Sequence, residues 1–464
     1  MARSYLPYTL DQRLLLPPDM RAWLPEGHLA LFILDVVAVL DLSAIHKVYE
    51  ARDDRGRAGF DPTMMVALLV YAYCVGKPSS RKIERATHED VAFRVLSGDQ
   101  HPDHDCIAAF RKEHLAALAG LFTQVLQLCR QAGLVKLGHI AIDGTKVKAN
   151  ASKHKAMSYE RMGEAEKRLE QEVAELLSRA EQTDAQEDSE YGKGRHGDEL
   201  PKELARRESR LAKIREAKAA LEAETKAKAE PTKPPKDPPG DASAGPTATE
   251  SAAAPPDKQE AKPDPKAQRN FTDPESRIMP DGANKGAFVQ AYNAQIAVDA
   301  AAQIIVATDV VQASNDVRQL VPMAQAIVAN VGALAETTSA DTGYFSKENV
   351  EHPALASTNL LVPPSRQKHG QAPQPGSDDP SASAADRMRF KLASDQGRAL
   401  YKMRKAIVEP VFGQIKAVRN LRQFLVRGLD AARGEFALIA LTHNLLKLFR
   451  RVGSGVRSLA PIGG

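Results

Sequence analysis

From Ser158 to Asn270 the chain offers little that could join a common core, so whatever it folds into must form across that interval. Glu, Ala, Lys, Arg and Leu dominate from Ser158 to Ala229. Met162, Leu169, Val173 and Leu176 keep heptad-like spacings, and after a charged break near Asp188 to Asp198, Leu200, Leu204, Leu211, Ile214 and Leu221 do the same. Two such helices joined by a loop predict an antiparallel hairpin over 156–230. Residues 231–270, with PTKPPKDPPGDASAGP, are too poor in apolar surface to order themselves and predict a disordered linker. Neither segment carries chemistry, and a solvated spacer or oligomerisation arm is the reading they favour.

The flanks alternate in pattern. Residues 1–130 read as all-helical. Asp61-Pro62 supplies a cap and a first-turn proline for TMMVALLVYAYCVG, GKPSS breaks the chain, and a further helix follows near Asp105. Short basic helices between tight turns suit a helix-turn-helix-like DNA-binding module, and equally a plain helical bundle. The cluster His101, His104, Cys106 matches no zinc spacing, and Asp105 reads better as a helix cap. Beyond it, the apolar run His139 to Ile142 ends at Asp143. Tyr292 to Val298 and Gln303 to Val311 predict a β-hairpin, and Val317 to Val331 a helix capped by Asn315 or Asp316. A strand into Asp341, another at Asn359 to Val362, a polar stretch at 367–385 and an apolar helix from Phe436 to Phe449 complete an α/β pattern.

Length and charge narrow the function classes. A chain of 464 residues exceeds one ordinary domain. Its net charge of +4 is modest, but the positive residues gather in the C-terminal third and around Lys146 to Lys155, which favours a nucleic-acid partner. Three cysteines cannot form a disulfide framework, so a cytoplasmic location is expected. The start lacks the apolar core of a signal peptide, and the apolar runs Leu29 to Leu40 and Met64 to Val75 are too short to span a bilayer, so no membrane partner is expected.

The most basic run, Gly397 to Gly428, holds one acid, Glu409. On a regular helix Lys402, Lys405, Glu409 and Lys416 fall nearly on one line, flanked by Tyr401 and Phe412, with Pro410 a candidate kink. Asp143 and Asp341 each end a short strand at a turn, where a sheet hands side chains to a cleft. Taken singly, each acid has an ordinary explanation: a cap, a turn, or for Glu409 a pair with Lys405. Gathered together they would repel unless a cation held them. Two divalent ions, Mg²⁺ or Mn²⁺ given oxygen ligands, are the usual solution for phosphodiester chemistry.

DGTKVKANASKHKAMSY, FTDPESRIM, YNAQIAVD, ADTGYFS and VEPVFGQIK with FLVRGLDAARGEFALIALTHNL closely resemble bacterial insertion-sequence transposases of the DDE type. The resemblance implies an RNase H-like core, a mixed sheet flanked by helices, over 135–155 and 271–451, with an all-α N-terminal domain and the hairpin and linker inserted. It implies Asp143, Asp341 and Glu409 as a metal-binding catalytic triad. Tyr401, Arg404, Glu409 and Lys416 match the family's Tyr, Arg, Glu, Lys signature by type, with one residue more than the commonest spacing between Arg404 and Glu409. Both Arg404 and Lys405 are therefore candidates for the phosphate of the transposon end, and Lys146 and Arg419 are further expected DNA contacts. The implied activity is binding of terminal inverted repeats, metal-dependent cleavage and strand transfer to target DNA, by at least a dimer on double-stranded DNA. The alternatives are a metal-dependent nuclease of the same fold without strand transfer, and a cleavage-inactive DNA-binding protein derived from a transposon.

Overall fold

The computed structural model describes residues 19–50, 59–191, 202–229, 262–282, 284, 286–366 and 376–453. They divide into two compact units, Met1–Asn150 with Met279–Gly464, and Ala151–Ile278.

The larger unit begins with helices α1 (Leu29–Val37), α2 (Ser43–Glu50), α3 (Pro62–Cys74), α4 (Ser80–Glu89), α5 (Val91–Leu96), α6 (His104–Glu113) and α7 (Leu115–Gln131). Helix α3 is apolar on every side and is buried from Met65 to Cys74, as a central helix must be. Asp61 caps it, its carboxylate accepting from the amides of Thr63 and Met64, with Pro62 in the first turn. The cap expected at Asp105 belongs to Asp103, which accepts from the amide of Cys106 at 2.6 Å. The helix begins at His104, so Asp105 falls in its first turn instead. His104 pairs with Glu84, and His101 stacks on His88.

Strand β1 (His139–Lys148) follows and leads into the smaller unit. There β2 (Ala156–Ser158) precedes helices α8 (Tyr159–Tyr191) and α9 (Lys202–Ala229), and β3 (Gln268–Asn270) pairs antiparallel with β2. Tyr159 bonds Glu222, Glu166 pairs with Lys218 and Glu172 with Arg207. The partners' numbers fall as the first helix rises, so the two helices run antiparallel, around Met162, Leu169, Leu211, Ile214 and Leu221. Most of the expected linker, residues 230–261, lies outside the described residues, as do 367–375 of the polar stretch. The linker's last residues are ordered, contrary to expectation. Asn270 is fully buried; its side chain donates to the carbonyl of Ser152 and accepts from the amide of Thr272.

The larger unit resumes with β4 (Arg277–Pro280), β5 (Phe288–Asp299), β6 (Ile304–Val311), α10 (Leu320–Val331), β7 (Thr337–Ser339), α11 (Lys347–Val350) and β8 (Asn359–Leu361). Helices α12 (Ala384–Ala393), α13 (Asp395–Gly413) and α14 (Leu429–Val452) close it. Among the described residues the sheet has six strands, in the order β4-β5-β1-β7-β8, with β6 also on β5. Strand β5 is antiparallel to β1 and β6, whereas β1, β7 and β8 are parallel. Strands buried on both faces read as continuous apolar runs, and Ile140, Ala141 and Ile142 at the centre are fully enclosed.

Pro410 does not end α13. A proline removes the bond to the carbonyl four residues earlier, here Ala406. Gln303, at the β5–β6 turn with φ of 57°, donates its side-chain amide to that carbonyl at 3.0 Å. Its own carbonyl bonds His443 and its side-chain oxygen accepts from Lys447, both on α14. A π-helical turn, Gln414–Val418, then continues α13.

Candidate active site

The parallel ladder that pairs His139 with Thr337 and Ala141 with Ser339 fixes the site. Carried two residues past the end of β7, the same offset brings Asp341 level with Asp143. Asp341 leaves the strand as the cap of a single helical turn, its Oδ1 accepting from the amide of Gly343 at 2.8 Å. Asp143 stays in the strand, with its side chain 21% exposed, and accepts from Arg404 Nη1 at 3.0 Å. Burial, together with the nearby Asp341 charge, outweighs that pairing and pushes the Asp143 carboxyl up to about 6.

Helix α13 buries Gly397, Arg404, Ile407, Val408 and Val411. At 100° per residue, a side chain five positions from Arg404 lies about 140° around the helix. Glu409 is accordingly exposed, and among the described residues it has neither a hydrogen bond nor an ion pair, with Lys405 or any other group. Lys402 and Lys405 share that outer face. Tyr401 is half-buried beneath the Arg404 guanidinium, 5.9 Å from ring centroid to Cζ. Lys416, in the π-helical turn, comes back to the sheet and donates to Thr145 Oγ1 and the Lys146 carbonyl at 2.6 and 2.7 Å. Burial, reinforced by Arg422, lowers its ammonium to about 8.

Arg419, expected on DNA, is 3% exposed and donates to Thr442 Oγ1 and the Ile439 carbonyl of α14. A guanidinium enclosed against helix carbonyls does not reach an outside partner. The basic run thus mixes inward and outward cations, which its composition alone cannot distinguish.

Sequence reasoning placed Asp316 only as a helix cap. Its side chain makes no capping bond. Instead Oδ1 accepts from the buried amides of Asn293 and Gln295 at 2.6 and 2.7 Å and lies 3.9 Å from Lys146 Nζ. The antiparallel register sets Gly144 opposite Gln295 and Lys146 opposite Asn293, so these share one face of the sheet while Asp143 and Thr145 face α13. Tyr344 donates its hydroxyl to Gln295, linking the turn after Asp341 to the same network. The signal available was a pair of buried amides spaced two apart on β5. Gly144 is what admits the network, since a Cβ there would stand 2.8 Å from Asp316 Oδ1. Gly144→Ala should cost about 1–3 kcal/mol of stability by overpacking, read by urea denaturation; an unchanged midpoint would show that the network yields freely.

The donors suit hard cations, being carboxylate oxygens. Among the described residues no three His, Cys, Asp or Glu side chains stand close enough to hold a metal ion. The fit is therefore that of a pair, Asp143 and Asp341, with Glu409 outside it. No helix among the described residues is long and apolar enough to cross a membrane.

A transposase domain (DUF772) matches residues 18–113, and a transposase DDE domain matches residues 371–449. The second match takes in Tyr401, Arg404, Glu409 and Lys416, whereas Asp143 and Asp341 lie outside both. No curated protein and no solved structure matches the chain. A transposase domain over the leading helices and a transposase DDE domain over the closing ones together support an insertion-sequence transposase of the DDE type.

Proposed function

We propose that the protein binds the terminal inverted repeats of its own element, cuts at their ends and joins the freed 3′-hydroxyls to target DNA. Asp143, Asp341 and Glu409 are the catalytic carboxylates in this reading. The observation that carries it is the level placement of Asp143 and Asp341 at neighbouring parallel strands, beside a helix whose Arg404 pairs with Asp143. Glu409, on the outer face of that helix, enters through the match to the transposase DDE domain. The strand sequence β6-β5-β1-β7-β8, with β5 alone reversed, supports an RNase H-like core with 151–278 as its insertion.

Asp143 and Asp341 would hold divalent ions, Mg²⁺ or Mn²⁺. Such a pair, when bound, activates the attacking hydroxyl or water and stabilises the leaving oxygen. Arg404 supplies positive charge to Asp143, and its guanidinium orders Tyr401. Lys146, on the Asp316 face of β1, and Lys416, which reaches Thr145 from the π-helical turn, are DNA contacts in this reading, and the leading helices supply further ones. Joining two ends implies at least a homodimer on DNA.

Glu409 is the member most exposed to test. With Mg²⁺ and a plasmid carrying both element ends, the wild type should nick at the element boundary and yield joined products. Glu409→Gln should lose about a hundredfold or more of this cutting while retaining DNA binding, the scale of loss for a metal-site residue. Unimpaired cutting by Glu409→Gln, with Asp143→Asn and Asp341→Asn inactive, would remove Glu409 from the triad. Nicks without joined products would favour the nuclease alternative.

A further inference from the structure

Five strand residues beyond Asp143, β1 ends in a cavity of about 470 Å³ lined by Thr145, Lys146, Lys148, Asp281, Asn284, Lys416 and Arg422. Two backbone segments bring its cations together. The Lys148 amide donates to the Arg422 carbonyl, and the Phe424 amide to the Lys148 carbonyl, which holds the segment after the π-helical turn alongside the strand. Among the described residues Lys148, Lys416 and Arg422 have no salt bridge to any carboxylate. Asp281, the acid in the lining, already accepts from Asn284 Nδ2 at 3.0 Å. Lys416 spends its donors on neutral oxygens, and burial, then the neighbouring Arg422 and Lys146 charges, depress its protonation against the pull of Asp281. Cations held this close with so little carboxylate among them leave repulsion that an anion would relieve.

We propose that this cavity binds DNA backbone phosphates at a fixed remove from the cut, with Lys148 and Arg422 as its outer contacts and Lys416 as its inner one. The inference rests on the reading of Asp143 as the cutting centre. A β-strand rises about 3.3 Å per residue, so Thr145 with Lys416 lies about 7 Å from Asp143, and Lys148 about 17 Å. Phosphates recur about every 3.4 Å of rise along one DNA strand. For a duplex whose axis runs along β1, the cavity therefore takes phosphates about two to five nucleotides from the scissile one. Contacts of this kind set register without reading sequence.

The test uses the full chain and duplexes carrying an element end, with one uncharged methylphosphonate linkage moved a nucleotide at a time. Wild-type affinity should drop about tenfold when the neutral linkage sits about two to five nucleotides from the cut, and less elsewhere. In the variant Lys148→Gln/Arg422→Gln the dip at the far positions should vanish, and the salt slope should fall by about 2. Lys148→Arg/Arg422→Lys, which keeps both charges, should restore both. Both side chains are exposed, and an unchanged melting temperature checks that the neutral variant is folded. A wild type that binds and cuts the end, with slope and dip unaltered in the neutral variant, overturns the cavity assignment and leaves the acid site standing. A chain that binds no end DNA overturns both.

Discussion

Asp143→Asn should abolish cutting and, in metal-free buffer near pH 7.5, make the protein more stable. The two effects share a cause. Burial and Asp341 raise the Asp143 carboxyl to about 6. An unfolded aspartate titrates at about 3.9, so the folded state binds this proton more tightly than the unfolded chain does. Below both values the ionised form costs nothing. As pH rises from about 4 to about 6 the penalty grows, and above about 6 it is fully present. Removing the charge should therefore recover about 1–3 kcal/mol at neutral pH, the upper figure being reduced because Arg404 loses its partner. Thermal melts of wild type and variant between pH 4 and 8 would diverge across that window and then run parallel. Mg²⁺ should reverse the order. A ligand bound by the folded state alone adds about 2.7 kcal/mol at a hundred times its dissociation constant, and only the wild type should gain it. A variant less stable than wild type throughout, or equally stabilised by Mg²⁺, would argue against Asp143 as a metal ligand.

Glu435→Ala should be the most damaging single change outside the site. This carboxylate is 1% exposed and accepts from the Tyr73 hydroxyl at 2.5 Å and from the Leu425 and Val426 amides at 2.8 and 3.3 Å. Arg111 lies behind it, donating to the Pro78 carbonyl at 2.8 Å. Truncation leaves these donors without an acceptor inside the protein and strands the guanidinium charge. Breaking such a buried set costs about 3–5 kcal/mol. Because α14 and α3 meet through this contact, the loss should appear as a lower urea midpoint for the whole larger unit. Glu435→Gln keeps the volume and one oxygen and should fall between the two. A cost under about 1 kcal/mol for Glu435→Ala would mean that water satisfies the donors.

Part of the site was legible because two of its acids follow apolar strand residues. Asp341 does lie just past the end of β7, but Asp143, expected at a strand end, sits midway along β1, whose pairing with β5 runs on to Lys148. The run His139 to Ile142 had to be a buried strand, and Asp143 is the first charge after it. The β5–β6 hairpin and the Asp61-Pro62 helix start declare themselves through local patterns. What was hidden depends on partners remote in sequence. Asp316 reads as a cap until Asn293 and Gln295, two strands away, claim its oxygen. Arg419 reads as a DNA contact until the Thr442 hydroxyl encloses it. The outward face of Glu409 could be drawn on a helical wheel, but only the burial of Arg404 fixes which side of that wheel meets the sheet.

Turns between hairpin strands ordinarily tolerate changes in length, because nothing else depends on where their tips lie. Gln303 removes that freedom, since one residue at the tip fills the gap beneath Pro410 and grips α14 at two points. A single residue added to or taken from this turn would be felt not at the tip but about half a turn along α13 from Ala406, in the aim of Arg404 at its aspartate.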